Sequence, residues 1–223
     1  MIQIKKSKEP KEWREYVSTP GVDYQSIPEL VDSLMKEQGY ICAYCMRRIP
    51  CKDRLYRKDG ANYDLTNEDH RIEHILSREN HADKKLDYNN MVICCPGHIG
   101  NEAHCDRLKG SNDISFSPLD PNFIATLSYR TDGTIISSNA QFNKEINEVL
   151  NLNTPLLKTN RKECWEAVKN QIVSKQRKQP WNRAILLKYI EKYCVMHEED
   201  GKLKHIPYCG IVTFKLQKKL SQL

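Results

Sequence analysis

The chain has 223 residues, 39% hydrophobic and 29% charged, a composition typical of a soluble globular protein with a substantial buried core. Residues 1–6 lack the apolar stretch of a secretory signal, and no apolar run reaches the roughly eighteen residues that a membrane helix needs, so we expect a cytoplasmic location. The net charge of +6 is concentrated in residues 151–223, which suits either a polyanionic partner such as nucleic acid or a solvated helical surface.

The first strong helix signal begins near Ser26. This serine can cap a helix, Pro28 is tolerated in a first turn, and Gly39 ends the pattern. Apolar residues recur on one helical face, namely Leu30, Val31, Leu34 and Met35. The sequence therefore predicts a helix that leads into a cysteine-rich segment.

The middle of the chain has the pattern of short strands separated by polar loops. Residues 52–69 are polar and lack periodicity, which predicts an exposed loop. Residues 72–76 and 91–93 are short apolar segments typical of strands, and residues 106–109 begin a helix. The predicted order is strand, loop, strand and helix.

The second half is predicted to contain a hairpin followed by helices. Residues 124–129 and 134–137 flank Asp132-Gly133, a dipeptide suited to a tight turn with positive φ. Helical patterns follow at residues 142–150, 156–173, 181–195 and 208–220. Only a weak boundary lies near residue 150, which leaves open whether these helices pack directly on the preceding core.

Nine cysteines are candidates for metal binding, because thiols in a reducing compartment rarely form disulfides. Six crowd the middle of the chain: Cys42, Cys45, Cys51, Cys94, Cys95 and Cys105. The others, Cys164, Cys194 and Cys209, lie among apolar neighbours and are expected to be buried thiols.

Cys42 and Cys45 have the spacing of a zinc knuckle, in which both thiolates point at one tetrahedral ion. The spacing alone leaves the second pair open among Cys94, Cys95, His98, His104 and Cys105. A four-thiolate zinc site has no free coordination position, so it would stabilise the fold and perform no chemistry.

Glu73 and His74 form the main candidate for chemistry. Cleavage of a phosphodiester requires a base for the attacking water and a divalent cation that neutralises charge on the phosphorus oxygens. A carboxylate beside an imidazole supplies both kinds of group. Because neighbouring side chains on a strand point to opposite faces, both can act on one phosphate only where the backbone bends.

Three segments together resemble the motif of HNH endonucleases, whose ββα-metal fold holds its ion between a strand and the following helix. They are Ile72-Glu73-His74-Ile75, Asn90-Met91-Val92-Ile93-Cys94-Cys95 and Cys105-Asp106-Arg107-Leu108-Lys109-Gly110. The family pattern has a carboxylate-His pair, a central Asn and a Cys-Asn/His/Asp-x-x-Lys ending, interleaved with zinc cysteines.

The HNH resemblance implies a role for individual residues. His74 would be the general base, and Asn90, with Asn89 as a one-residue register alternative, would fix the loop that positions it. Glu73 and Asp106 would hold Mg²⁺ or Mn²⁺ through hard oxygen ligands. Lys109 would contact the substrate phosphate.

The same register selects the zinc ligands. In the HNH pattern a zinc cysteine comes five residues after the central Asn, which selects Cys95, and the next cysteine directly precedes the second metal-binding residue, which selects Cys105. With Cys42 and Cys45 these would complete a structural zinc site. The long interval between Cys95 and Cys105 keeps Cys94, His98 and His104 as alternative ligands.

A closer resemblance covers most of the first 120 residues. It is carried by Ile4-Lys5-Lys6, Thr19-Pro20-Gly21, Glu37-Gln38 and Ile41-Cys42-Ala43-Tyr44-Cys45-Met46-Arg47-Arg48-Ile49. These are similar to the HNH subunit of Septu and retron-associated anti-phage systems, the PtuB family. The resemblance implies cleavage of nucleic acid, with DNA expected and RNA as the alternative, in a defence complex with an ABC/SMC-like ATPase of the PtuA type and without a membrane. A catalytically degenerate, zinc-stapled nucleic-acid-binding or adaptor subunit is the competing hypothesis.

These expectations describe an α+β protein with a zinc-stapled ββα-metal core and a mainly α-helical C-terminal part. The predicted regions are a helical or extended segment at 1–40, a nuclease core with the zinc site and hairpin at 41–140, and a helical region at 141–223. For the C-terminal helices, a docking arm for the ATPase, a wall of the substrate channel and ordinary core remain open alternatives.

Overall fold

A computed structural model describes residues 1–50, 69–99, 102–175 and 181–223. Within these ranges the protein is α+β, with eight α-helices and four two-stranded antiparallel sheets. Nearly all of the polar loop predicted at 52–69, together with Cys51, lies outside the described residues. No helix in the described ranges combines the length and apolar character that a membrane span requires.

Two helices precede the cysteine-rich segment, α1 (Lys11–Val17) and α2 (Pro28–Glu37). Helix α2 buries three residues of the predicted apolar face, Leu30, Leu34 and Met35. The predicted Ser26 cap is wrong, because the residue before the helix is Ile27, which makes no side-chain capping hydrogen bond. Pro28 stands at the first turn with its φ already fixed, so the helix begins there without a serine cap.

The central region contains the predicted order of strand, loop, strand and helix. Its elements are β1 (Arg71–His74), β2 (Met91–Cys94), β3 (His98–Ile99), β4 (Glu102–Ala103) and α3 (Asp106–Lys109), with short 3-10 turns at Ala82–Lys84 and Tyr88–Asn90. Strands β1 and β2 are antiparallel, and Glu73 lies opposite Val92. The small β3–β4 hairpin, which was not predicted, is inserted between β2 and α3.

The second half alternates hairpins and helices. Its elements are α4 (Pro121–Ala125), β5 (Leu127–Tyr129), β6 (Ile135–Ser137), α5 (Ala140–Glu148), α6 (Pro155–Lys175), α7 (Arg183–Cys194), β7 (His197–Glu199), β8 (Lys202–Lys204) and α8 (Cys209–Leu220). The hairpin at Asp132-Gly133 and the four helices are confirmed, although Ile124 belongs to α4 and not to a strand. The β7–β8 hairpin was not predicted.

One hydrophobic core joins the N-terminus, the cysteine-rich segment and the C-terminal helices. A Cβ on Gly210 of α8 would lie 2.7 Å from the Met1 carbonyl oxygen, so only glycine permits this close approach. The Tyr208 N–H donates to the Met46 carbonyl at 3.1 Å. The C-terminal helices therefore pack directly on the cysteine-rich segment.

The remaining three cysteines differ in exposure. Cys209 is buried and Cys164 is half-buried, but Cys194 is exposed at the end of α7, so the expectation of burial is wrong for Cys194. Cys194 is the last residue of α7, where the periodic apolar pattern ends and no longer predicts which side chains face the core.

Removal of residues 151–223 is expected to prevent folding of the remainder, because α6 and α8 supply much of the shared core. The buried side chains lost would be Leu157, Trp165, Val168, Ile172, Ile211, Val212 and Leu216. Circular dichroism during heating should show no cooperative transition for fragment 1–150. Deletion of only the exposed residues 221–223 should leave the midpoint unchanged within about 2 °C. A fragment 1–150 that unfolds cooperatively near the full-length midpoint would contradict the shared core.

Candidate active site and metal centre

Four buried thiols converge on one point. The Sγ atoms of Cys42, Cys45, Cys95 and Cys105 all lie within 4.8 Å of one another. The Cys42–Cys105 and Cys45–Cys95 sulfur separations are 3.8 and 3.6 Å. A tetrahedral zinc ion with Zn–S bonds of about 2.3 Å requires sulfur separations of about 3.8 Å. The cluster therefore has the ligand type and spacing that a zinc ion requires.

Three local structures position these four thiols. A tight turn, closed by a 3.1 Å hydrogen bond from the Met46 N–H to the Cys42 carbonyl, brings the first two sulfurs together. Cys95 directly follows β2, and Cys105 directly precedes α3. The turn, the end of a strand and the start of a helix are thus held at one point.

The thiols of the cluster hydrogen-bond to one another, and this affects their ionisation. Burial opposes ionisation of Cys42, but hydrogen bonds from other sulfurs, first that of Cys105, outweigh it and lower its pKa well below the ordinary value. Burial, together with the neighbouring sulfurs, raises the pKa of Cys105. Such a cluster can exchange its thiol protons for a divalent cation, because binding of the metal is coupled to deprotonation.

The alternative ligands differ in their distance from the cluster. The fully buried His104 places Nδ1 3.1 Å from the Cys105 sulfur and 4.0 Å from the Cys95 sulfur. Among the described residues, the converging group contains Cys95 and neither Cys94 nor His98. Four cysteines are therefore the ligand set that the geometry favours, with His104 beside it.

An open cleft of about 520 Å³ lies beside β1 and α3. Three predicted site residues, Glu73, His74 and Asp106, line it. Its walls also carry two further acidic residues, Asp23 and Glu79, and four basic residues, Arg71, Arg78, Lys85 and Arg107. Guanidinium and ammonium groups around a cleft suit a phosphate-containing ligand.

Glu73 lies on β1 with only 2% of its surface exposed. Its Oε1 accepts a hydrogen bond from the Tyr44 hydroxyl at 3.0 Å and pairs with the Lys109 ammonium at 2.9 Å. Burial, and then a hydrogen bond with the Asp106 carboxyl group, raise the pKa of Glu73 well above its ordinary value. Asp106 also pairs with the Arg71 guanidinium. Two carboxyl groups in contact are a suitable place for a cation, since positive charge relieves their repulsion.

His74 is buried beside this carboxyl pair. Its Nε2 lies 3.0 Å from the Lys85 carbonyl oxygen. Because a carbonyl can only accept, Nε2 carries the hydrogen and Nδ1 of the neutral ring holds a lone pair. Burial lowers the pKa of His74 to about 4, so the ring is neutral at pH 7 and able to accept a proton at Nδ1.

Asn90 ties down the loop that follows His74. Its Oδ1 accepts from the Leu76 N–H at 2.8 Å, and its Nδ2 donates to the carbonyls of Leu76 and Lys84 at 2.9 and 3.2 Å. Asn89 is exposed, and its N–H bonds only to the nearby Asp87 carboxylate. Of the two register alternatives, Asn90 is the one whose side chain holds the loop.

Lys109 is fully buried, which does not fit the predicted contact with phosphate. Its Nζ donates to the His74 carbonyl at 3.0 Å and faces Glu73. Helix α3 turns this side chain inward, whereas Arg107 of the same helix is exposed and lines the cleft. The surroundings of Lys109 support a role in holding β1 against α3.

Sequence reasoning overlooked three contributors to this site. Tyr44 lies between the knuckle cysteines, but its partner Glu73 is far away in sequence. Lys85 acts through its carbonyl, for which no side-chain signal exists. Arg71 immediately precedes the Ile72–Ile75 motif, and its charge was the only available signal.

Comparison with known proteins adds no assignment. The chain matches no protein-family model, and a search of curated proteins found no significant match. The functional argument therefore depends on the geometry and chemistry of the site.

We expect the purified protein to contain about one zinc ion per chain. Cys95→Ala should lose the zinc and its cooperative thermal transition, because three thiolates remain of four. Cys94→Ala is the matched control, since it removes the adjacent buried thiol outside the cluster, and it should retain zinc. Elemental analysis measures the content. Zinc that survives in Cys95→Ala but disappears in Cys94→Ala or His104→Ala would establish a different ligand set.

Lys109→Met is expected to lower the free energy of unfolding by about 3 kcal/mol, because Glu73 would lose its buried cationic partner. Lys144→Met is the control, since its partner Glu148 is exposed and such pairs contribute little. Urea denaturation compares the two variants. Unchanged stability of Lys109→Met, combined with weaker binding of nucleic acid, would support the phosphate contact instead.

Proposed function

We propose that this protein is a metal-dependent endonuclease of the HNH type that hydrolyses phosphodiester bonds, with DNA as the first candidate substrate and RNA as the second. The observation that carries the proposal is the His74 imidazole, whose Nε2 is held by the Lys85 carbonyl and which lies with the Glu73–Asp106 carboxyl pair in one open cleft. Hydrolysis of a phosphodiester needs this combination of a base and acidic groups that hold a cation. The HNH resemblance of the three segments supports the same function and a ββα-metal core.

In the proposed reaction His74 removes the proton from the attacking water. The water oxygen forms a bond to phosphorus, its proton passes to Nδ1, and the bond from phosphorus to the leaving oxygen breaks. The Lys85 carbonyl, which accepts from Nε2, keeps the ring oriented and stabilises the imidazolium that forms. Arg107 and Arg78, which line the cleft, would bind the phosphate oxygens.

Glu73 and Asp106 are the residues that would hold Mg²⁺ or Mn²⁺, since hard carboxylate oxygens suit these ions. When bound, the ion would neutralise charge that develops on the phosphate and leaving oxygens. Binding requires Glu73 to ionise and Arg71 to release Asp106. The Lys109 ammonium would remain beside Glu73 and keep it oriented.

The four-cysteine cluster would hold Zn²⁺ as a structural ion. Four thiolates leave no open coordination position, so the ion would take no part in hydrolysis. Its influence on the cleft would pass through Tyr44, whose hydroxyl donates to Glu73.

We further propose that the protein is the effector of a cytoplasmic anti-phage defence complex with an ABC/SMC-like ATPase of the PtuA type. This proposal depends on the resemblance to the PtuB family that residues 1–49 carry. Co-expression with an ATPase of this type from a neighbouring gene should give one complex in size-exclusion chromatography. Separate elution of the two proteins at micromolar concentration would contradict the partnership.

A second candidate function is a catalytically degenerate, zinc-stapled subunit that binds nucleic acid or acts as an adaptor. One observation favours it: both carboxyl groups of the cleft already have cationic partners, Lys109 for Glu73 and Arg71 for Asp106. Such pairing would suit a protein that binds phosphates without a catalytic metal ion.

Cleavage of supercoiled plasmid and of RNA distinguishes these functions. With Mg²⁺ or Mn²⁺ we expect His74→Ala to be at least about 100-fold slower than the wild type, because general bases contribute on that order. His81→Ala, a half-exposed histidine paired with Asp113, is the matched control and should retain activity. Omission of the divalent ion should stop cleavage.

Equal cleavage by the wild type and His74→Ala would reject the mechanism. Binding without cleavage by the wild type, with the ATPase present and absent, would favour the adaptor function.

A further inference from the structure

The segment between α1 and α2 reaches the cleft and contacts the proposed base. Asp23 lines the cleft. The neighbouring Tyr24 packs against His74, with ring centroids 4.6 Å apart and ring planes at 84°. The His74 ring is therefore contacted by a residue that lies far upstream in the sequence and outside the HNH-like segments.

The same segment also contacts the residue whose carbonyl orients His74. The Lys85 carbonyl accepts from Nε2 of His74, and the Lys85 ammonium pairs with the Asp23 carboxylate at 2.8 Å. The Asp23 carboxylate is exposed, so this pair contributes little, and Tyr24, which packs on the ring itself, makes the closer contact with His74.

Tyr24 has a second contact in the cleft. The Arg78 guanidinium lies over its ring, 4.6 Å from the centroid, and Arg78 is an exposed residue of the cleft wall. A cation over an aromatic face is attracted to it and loses part of its rotational freedom. One ring therefore restrains both a proposed base and a cation that faces the substrate.

Contacts with helix α1 hold Tyr24 and its segment in position. The ring lies 6.3 Å from Trp13, an α1 residue with no exposed surface. Tyr16 of the same helix donates its hydroxyl hydrogen to the Asp23 carbonyl at 2.7 Å. Helix α1 thus holds the segment in place against the cleft.

We infer that Tyr24 is a positioning residue of the proposed active site, whose ring holds the His74 imidazole in its reactive orientation and holds Arg78 where it can bind a substrate phosphate. The inference rests on the proposed nuclease function. Both contacts are made by the aromatic ring, so phenylalanine should replace tyrosine and an aliphatic residue should not.

Cleavage kinetics on a short DNA duplex test the inference. Tyr24→Phe should retain kcat and KM within about twofold, whereas Tyr24→Leu should lower kcat by about 10- to 100-fold, the range expected for a misplaced catalytic group. Arg78→Ala should raise KM, because it removes a substrate contact. An unchanged KM in Arg78→Ala would contradict the phosphate contact.

The matched control is Phe142→Ala, which removes an aromatic side chain from the Phe116–Phe123–Phe142 cluster. This cluster does not line the cleft. The control should lose thermal stability but keep kcat. If Phe142→Ala lost as much kcat as Tyr24→Leu, the lower kcat of Tyr24→Leu would be explained by general destabilisation, and the inference would be overturned.

A second measurement needs no activity. Long-range ¹H–¹⁵N spectra report the tautomer of each imidazole, and comparison with His74→Ala assigns the His74 signals. The wild type and Tyr24→Phe should show the Nε2-protonated form, and Tyr24→Leu should show both tautomers. Identical spectra for Tyr24→Leu and the wild type would overturn the inference. A changed tautomer in Tyr24→Leu, in a wild-type protein that cleaves nothing, would leave Tyr24 as a positioning residue and reject the nuclease function.

Discussion

The convergence of four thiols is the constraint on which the geometry of the cleft depends. Cys95 directly follows β2 and Cys105 directly precedes α3, so closure of the cluster sets the distance between the strand pair and the helix. Glu73 belongs to that strand pair and Asp106 to that helix, and the contact between their carboxyl groups follows from this distance. Tyr44, between the knuckle cysteines, adds a direct hydrogen bond to Glu73.

Each of the two carboxyl groups beside the cysteine cluster has a cationic partner. Glu73 faces Lys109, and Asp106 faces Arg71. Lys109 and Glu73 are almost completely buried, and transfer of such ions from water costs several kcal/mol each, so Glu73 depends on its partner or on a proton. Under the proposed function, a divalent ion would bind here only after Glu73 loses its proton and Asp106 separates from Arg71. The affinity of the proposed cation site would therefore depend both on pH and on movement of Arg71.

Local signals predicted α2, α3, α5 to α8 and the Asp132-Gly133 hairpin, because periodicity and turn chemistry operate over a few residues, but they missed the short helices α1 and α4. The β7–β8 hairpin could have been predicted from the same turn chemistry, since Asp200-Gly201 lies at its turn with φ of 53° and 69°. The burial of Lys109 could not have been predicted in this way, because a four-residue helix is too short for a periodic pattern to mark its inner face. The contact between Tyr24 and His74 depends on packing between remote segments, which no local pattern records.

Positions 105 and 106 place two different kinds of potential metal ligand on neighbouring residues. Cys105 offers a soft thiolate to the sulfur cluster, and Asp106 offers a hard carboxylate to the cleft, so each position selects a different class of ion. Cys105 has φ of 55°, a conformation that non-glycine residues seldom adopt and that surrounding contacts have to maintain. Relaxation of this conformation would therefore move Asp106, the next residue, relative to Glu73. Under the proposed nuclease function a cysteine variant would lose activity through this displacement even though its thiolates perform no chemistry, so metal content would be needed to separate a scaffold role from a catalytic one.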